Sequence, residues 1–225
     1  MRKLLFASAF LIAVGVAAPR SAAADPILLS LQGVNDSSLT ASVLLTYNPA
    51  AGQLSLAITN TSTGGDPRLT GFGFNLPSVI TGVTSFTSSP AGWAYSYDPD
   101  SINTPGQFGF YDAAGLTGPD LNGGSANAGI PIGATFNFSF VFAGSGLNTL
   151  TESSFVNLPS FDPAGNPDES EQTFIARFQR TGVDGEGSDV AIPTEGVPEP
   201  GTLLLSGLGF LGLASRLRRR DKVQA

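Results

Sequence analysis

Strict alternation of apolar and polar side chains is the feature that most constrains the fold of this chain. Between residues 134 and 143 every second position is a phenylalanine: Phe136, Phe138, Phe140 and Phe142. Residues 53–61 alternate in the same way. Because successive side chains of a strand point to opposite faces, both segments predict strands with one buried face. Helical periodicity is nearly absent between the two ends of the chain, so we predict an all-β fold.

The same pattern extends over most of the chain. We predict further strands at 27–34, 39–47, 69–76, 79–87, 93–97, 107–111, 153–158 and 174–180. About eight to ten short strands without helices between them favour a β-sandwich of jelly-roll or immunoglobulin-like type, which we assign to residues 25–181. The sequence has 16 phenylalanines, one tryptophan and four tyrosines, so we expect its aromatic rings mainly in the core.

Glycine-rich segments interrupt the strand pattern. Residues 116–129 have no apolar period and predict a long loop. Residues 182–196 are acidic and rich in glycine, and predict a flexible linker. Gly71 and Gly73 alternate with two phenylalanines, which suggests a bulge or the close approach of another sheet at that strand.

The N-terminal end has the three parts of a secretory signal peptide. Arg2 and Lys3 precede an apolar run over residues 4–16, and a small-residue stretch follows it. We predict a signal peptide over residues 1–24, with cleavage between Ala24 and Asp25 and with Ala22 as the other small recognition residue. The alternative is cleavage after Ala18, which would leave a proline, a poor context for signal peptidase, as the next residue. The chain has no cysteine, so disulfides contribute nothing to the exported protein.

Charge is segregated along the chain, and it excludes several functions. Residues 25–200 contain three arginines against 17 of the 18 carboxylates. Such a body repels nucleic acid phosphates, so we expect no nucleic acid partner. The chain has no histidine, which excludes Ser-His-Asp and Cys-His catalysis and histidine-containing zinc sites. We therefore expect no enzymatic activity and no cofactor other than the calcium considered below.

The C-terminal end also has three parts in a fixed order. Its first part is a short motif, Val197-Pro198-Glu199-Pro200-Gly201. The apolar run that follows predicts a single transmembrane helix over residues 201–217, although residues 201–215 alone fall short of the roughly 20 residues that span a bilayer. Its last part is a basic stop over residues 216–222, with the arginines Arg216, Arg218, Arg219 and Arg220. These arginines favour a cytoplasmic location for the end of the helix and an external location for the body.

This arrangement over residues 197–221 resembles the PEP-CTERM sorting domain of Gram-negative bacteria that make exopolysaccharide. The resemblance implies that exosortase, a membrane-embedded cysteine protease or transpeptidase, recognises the tail and removes it near the motif. Signal peptidase would be the other processing enzyme. The protein would be held transiently in the inner membrane and then placed at the cell surface, in the outer membrane or in the extracellular matrix. A permanent single-pass anchor remains the alternative.

Two groups of residues are candidates for ligand binding. Asp184, Glu186 and Asp189 lie in a glycine-rich segment and loosely resemble an oxygen cage for calcium, the alternative being solvated loop charges. Trp93, Tyr95 and Tyr97 share one face of a predicted strand, as in a sugar-stacking strip; the alternative is that they face the core.

Together these features predict an exported, non-enzymatic envelope or extracellular protein that exosortase sorts. We expect it to associate with an exopolysaccharide matrix or biofilm. The alternative roles are a surface adhesin module that binds carbohydrate or calcium, and a permanently anchored membrane protein.

Overall fold

The fold is all-β, as the alternation predicted. The structure is a computed structural model that describes residues 25–104, 108–160, 172–182 and 184–194. The predicted signal peptide and transmembrane helix lie outside these residues. The strands are β1 Ile27–Gly33, β2 Thr40–Asn48, β3 Gln53–Asn60, β4 Arg68–Phe74, β5 Ile80–Ser89, β6 Ala94–Asn103, β7 Phe110–Leu116, β8 Thr135–Gly144, β9 Phe174–Thr181 and β10 Gly187–Pro193.

The strands form one antiparallel sheet instead of the two sheets of a sandwich. Their order is β5-β8-β3-β2-β1-β10-β9-β4-β7-β6. The sheet curls until its two edge strands approach each other, and the rings of Phe86 on β5 and Tyr95 on β6 lie 5.5 Å apart. The jelly-roll or immunoglobulin-like prediction is therefore corrected to a single, nearly closed sheet. The physical reason is β10, which pairs with β1 on one side and β9 on the other and so joins two halves that would otherwise be separate.

The predicted flexible linker at 182–196 is wrong where it covers β10. This strand lies in the middle of the sheet, with Leu31 opposite Pro193 and Phe178 opposite Asp189. Both of its faces are covered at Val190 and Ala191, so it shows no alternation of exposed and buried residues. A short buried strand of this kind has no period-two signal, and its Gly-Ser-Asp start is typical of loops.

Phenylalanine side chains fill the inside of the curled sheet, as predicted. Phe72 of β4 packs 4.7 Å from Phe138 of β8 across the interior, and 5.9 Å from Phe174 of β9. The interior is tight enough to require glycine at one position. A Cβ atom at Gly115 of β7 would lie 2.3 Å from the ring of Phe72.

A smaller apolar cluster lies on the outside of the sheet. Leu121, from the loop between β7 and β8, packs directly over Gly71 and Gly73, within about 3 Å of where their Cβ atoms would stand. The register between β4 and β9 also shifts between Leu69 and Gly71. The predicted bulge at these glycines is confirmed, whereas the element that approaches them is a loop and not another sheet.

Helical structure is confined to single turns in the described part of the chain. The strand predicted at 153–158 is wrong, because Ser153–Val156 forms a four-residue helix, α1, whose Phe155 is buried under the end of β2. Among the described residues, none of the helices has the length and apolar character needed to cross a membrane.

Strand direction alternates across the whole sheet, so the molecule has two distinct ends. We call proximal the end from which β1 starts at Ile27 and toward which β10 runs, although β10 finishes opposite Leu31. The β2–β3, β4–β5, β6–β7 and β8–β9 connections lie at the proximal end. The other five connections lie at the opposite end, which we call distal.

Candidate functional site

Asp189 is part of the framework of the sheet. Its carboxylate is 5% exposed and accepts hydrogen bonds from the backbone nitrogens of Asn35 (3.0 Å), Asp36 (3.0 Å) and Val190 (2.8 Å). The side-chain nitrogen of Asn35 donates a further bond of 2.9 Å. Asp189 thus fixes the turn between β1 and β2 onto β10. Buried carboxylates require such donors, since desolvation of an unpaired charge is costly.

The three carboxylates proposed for calcium do not converge. Asp184 and Glu186 are exposed in the turn before β10, whereas the oxygens of Asp189 already accept bonds from the β1–β2 turn. In residues 25–104, 108–160, 172–182 and 184–194, no group of three or more acidic, histidine or cysteine residues is placed to hold a metal ion. The oxygen cage expected from the sequence is therefore not formed by this set.

The predicted aromatic strip is divided between core and surface. Trp93 is only 7% exposed, packs 4.8 Å from Phe138, and donates its indole N–H to the carbonyl of Ala128 at 3.1 Å. Tyr95 is 43% exposed beside Phe86, and Tyr97 is half-buried. The sugar-strip interpretation is corrected for Trp93, because its ring faces the interior with no surface left for a ligand.

Two carboxylates meet beside a cleft at the proximal end. Asp112 of β7 accepts the backbone N–H of Asp100 and of Leu76, both at 2.8 Å. Desolvation and the neighbouring Asp112 raise the pKa of Asp100 above its ordinary value. The arrangement ties the β4–β5 connection to β6, and each bond to Asp112 is a structural bond between backbone and side chain.

One half of the sheet carries no formal charge. Strands β5, β8, β3, β2 and β1 are consecutive in the sheet and contain no Asp, Glu, Lys or Arg. Each of the other five strands contains at least one. We call the outward side of the uncharged half the neutral face. Such a face is unusual in a body with 17 carboxylates. The sequence shows that each of these strands lacks charge, but it does not show that they are neighbours, because that depends on the pairing order of the sheet.

The neutral face contains an open groove lined with hydroxyl and amide groups. The lining includes Thr46 of β2, Ser55 of β3, Asn137 of β8 and Thr87 of β5. Exposed leucines border it, because Leu44 is 41% exposed and lies opposite Leu28, which is 46% exposed. Short polar groups beside an apolar patch suit a neutral ligand with hydroxyl groups and C–H surfaces.

Side-chain hydrogen bonds hold two of the cross-strand pairs on the neutral face. The amide of Gln53 donates to the hydroxyl of Ser139 at 2.6 Å, and the hydroxyls of Thr59 and Thr135 lie 2.7 Å apart. Such cross-strand pairs stabilise the sheet locally. With no titratable group, the neutral face offers hydrogen bonds but no acid or base.

The body arginines lie away from the proximal end. Asp66 forms ion pairs with Arg68 (2.9 Å) and with Arg180 (3.1 Å) at the distal end. These partners, led by the hydrogen bond from Arg68, lower the pKa of the Asp66 carboxyl. Arg177 lies midway along β9, where it donates to Ser188 at 2.7 Å.

Comparison with protein families identifies a sorting motif in the C-terminal segment. Residues 196–220 match the family model of the PEP-CTERM protein-sorting motif. The match contains the Pro198-Glu199-Pro200 triplet and the arginines Arg216 to Arg220, so the sequence-based recognition of this motif is confirmed. It begins two residues after Thr194 and lies outside the described residues. Searches among curated proteins and among solved structures returned no match to the chain.

Proposed function

We propose that this chain, which carries a PEP-CTERM protein-sorting motif, is a non-enzymatic passenger that exosortase places at the cell envelope or in the extracellular matrix. The motif at residues 196–220 carries this proposal. It is the signal of an exosortase-targeted exported protein. The predicted signal peptide at residues 1–24 supports the same route, since it would bring the body across the membrane that the tail then engages.

Mass spectrometry of the mature protein from an exosortase-containing host tests this route. We expect an N-terminus at Asp25 and a new C-terminus near Pro198 to Gly201, without the basic stop. The same chain in a host that lacks exosortase is the control, and there we expect the tail to be retained. A mature C-terminus at Ala225 in both hosts would refute sorting and leave the permanent-anchor alternative.

We propose polysaccharide as the partner of the mature body, with the neutral face as the contact surface. An uncharged groove lined by Thr46, Ser55 and Asn137 favours a neutral, hydroxyl-rich polymer over an ionic partner. Its exposed Leu44 suits the apolar faces of sugar rings. The groove replaces the aromatic strip of the sequence hypothesis as the candidate surface, since Trp93 is in the core.

Affinity electrophoresis in gels that contain the host's exopolysaccharide tests this contact. Asn137→Asp adds a charge to the neutral face with almost no change in shape, since Asn137 is exposed on β8. Asn122→Asp adds the same charge to an exposed position in the β7–β8 loop and is the matched control. We expect retardation of the wild-type protein and of Asn122→Asp, and its loss in Asn137→Asp. Equal retardation of both variants would exclude the neutral face.

A further inference from the structure

The sorting segment leaves the fold from a strand held on both sides. The backbone N–H of Thr194 donates to the carbonyl of Ser30 at 2.9 Å, and the Thr194 hydroxyl donates to the same oxygen at 3.2 Å. The sorting motif begins at residue 196. From Thr194 to Pro198 the chain spans at most about 14 Å, four peptide steps at their full extension.

This tether is shorter than the body is wide. A folded domain of this size has a radius of gyration of about 15 Å. An enzyme that holds residues 197–201 in its active site must therefore stand against the body itself. The body can present only the surface near Thr194, which is bonded midway along β1 at the end of a strand that runs toward the proximal end.

Hydrogen bonds hold the connections at the proximal end in place. The hydroxyl of Tyr47, at the end of β2, donates to the carbonyl of Leu147 at 2.9 Å. The backbone N–H of Tyr47 donates to the carboxylate of Glu152, also at 2.9 Å, and Glu152 is 7% exposed. These bonds fasten the start of the β8–β9 connection beside the β2–β3 turn. The surface beside the β2–β3 turn is thus preformed.

The charge of this end disfavours contact with lipid. Its described carboxylates are Asp25, Asp100, Asp112 and the buried Glu152, whereas Asp98 lies halfway along β6. None of the three arginines of the described residues lies there, since Arg68 and Arg180 are distal and Arg177 is halfway along β9. A surface with only carboxylates is repelled by anionic headgroups. A protein partner does not impose this penalty.

We propose that the proximal end is a docking surface for exosortase, which contacts the β2–β3 turn and the β4–β5 connection while the sorting motif is in its active site. This inference rests on the proposed function. It adds that the folded body has a fixed orientation during processing. The distal end and the turn of Asp184 and Glu186 then face away from the membrane.

Site-directed crosslinking of the full chain tests this docking, and the absence of cysteine makes it simple. Single cysteines replace exposed residues at the proximal end, Ala51→Cys and Ser78→Cys, or at the distal end, Ser37→Cys and Asn122→Cys. Each carries a short thiol-linked photocrosslinker. The host supplies an exosortase whose catalytic cysteine is replaced, so that the substrate stays bound. The cysteine-free wild-type chain gives the background.

We expect adducts with exosortase from Ala51→Cys and Ser78→Cys, and only background from the two distal positions. Equal yields from both ends would overturn the docking surface, and so would proximal adducts that contain lipid alone. Tail removal is measured separately by mass spectrometry with active exosortase. Failure of removal contradicts the proposed function, whereas normal removal with equal crosslinking contradicts only the docking.

Discussion

Replacement of Asp189 by alanine tests whether residues 187–193 are a structural strand. The change removes the acceptor for three backbone N–H groups, those of Asn35, Asp36 and Val190. Each buried donor left without a partner costs about 1–3 kcal/mol. Because water can reach part of the β1–β2 turn in the variant, we expect a total loss of about 3–5 kcal/mol in the free energy of unfolding. That is a large share of the roughly 5–15 kcal/mol that keeps a domain folded.

Urea denaturation of a fragment spanning residues 25–194 measures this loss, with intrinsic fluorescence of Trp93 as the signal. Asp184→Ala and Glu186→Ala are matched controls, because both carboxylates are exposed and take no part in the hydrogen bonds of Asp189. Surface changes of this kind stay within about 0.5 kcal/mol of wild type. If Asp189→Ala also stayed within that range, β10 would not be held in the sheet. The flexible linker predicted from the sequence would then be correct.

Four further predictions concern core packing, the environment of Trp93 and the effect of pH. Gly115→Ala should destabilise the protein by about 1–3 kcal/mol because its Cβ would overlap Phe72, while Gly82→Ala, whose Cβ would meet only Ala143 at 4.0 Å, should have little effect in the same urea assay. Emission of Trp93 should be blue-shifted and unchanged by added polysaccharide; a ligand-dependent shift would restore the sugar-strip hypothesis. Hydrogen bonds from Ser38 and Arg68 lower the pKa values of Asp36 and Asp66, so their stabilisation is present at neutral pH and is lost as pH falls through those values. For Asp100 the effect on stability has the opposite sign, because its raised pKa shows that the fold disfavours the charged form. Asp100→Asn should therefore increase the melting temperature at pH 7 and have no such effect at pH 3.

Alternation predicted nine of the ten strands approximately, and its failures have physical causes. Strands β3 and β8 each bury one face, so their pattern was strong. β10 is covered on both sides at Val190 and Ala191, and its start reads as a loop, so no periodic signal marked it. Since β10 is the link between β1 and β9, missing one strand changed the predicted architecture from a single sheet to two.

The predictions of candidate binding sites from the sequence failed for a different reason. Position in a strand predicts which residues share a face, but it does not predict which face is inside. Trp93 precedes β6 and turns inward, while Tyr95 lies on the strand and is exposed. The neutral face depends on pairings between strands distant in sequence, such as β3 with β8, which local patterns do not contain.

The place of β10 also bears on what processing does to the body. Cleavage between residues 197 and 201 falls after Pro193, so all ten strands and the bonds of Thr194 to Ser30 remain in the product. The pairings among the described strands that join the two halves of the sheet therefore lie upstream of the cleavage site. Because β10 is paired on both sides, cleavage of the tail removes no contact between the described strands. The body can therefore fold before its tail is removed. The same arrangement explains why the tether is short, because residues that a flexible linker would have used are built into the sheet and the sorting motif begins two residues after Thr194.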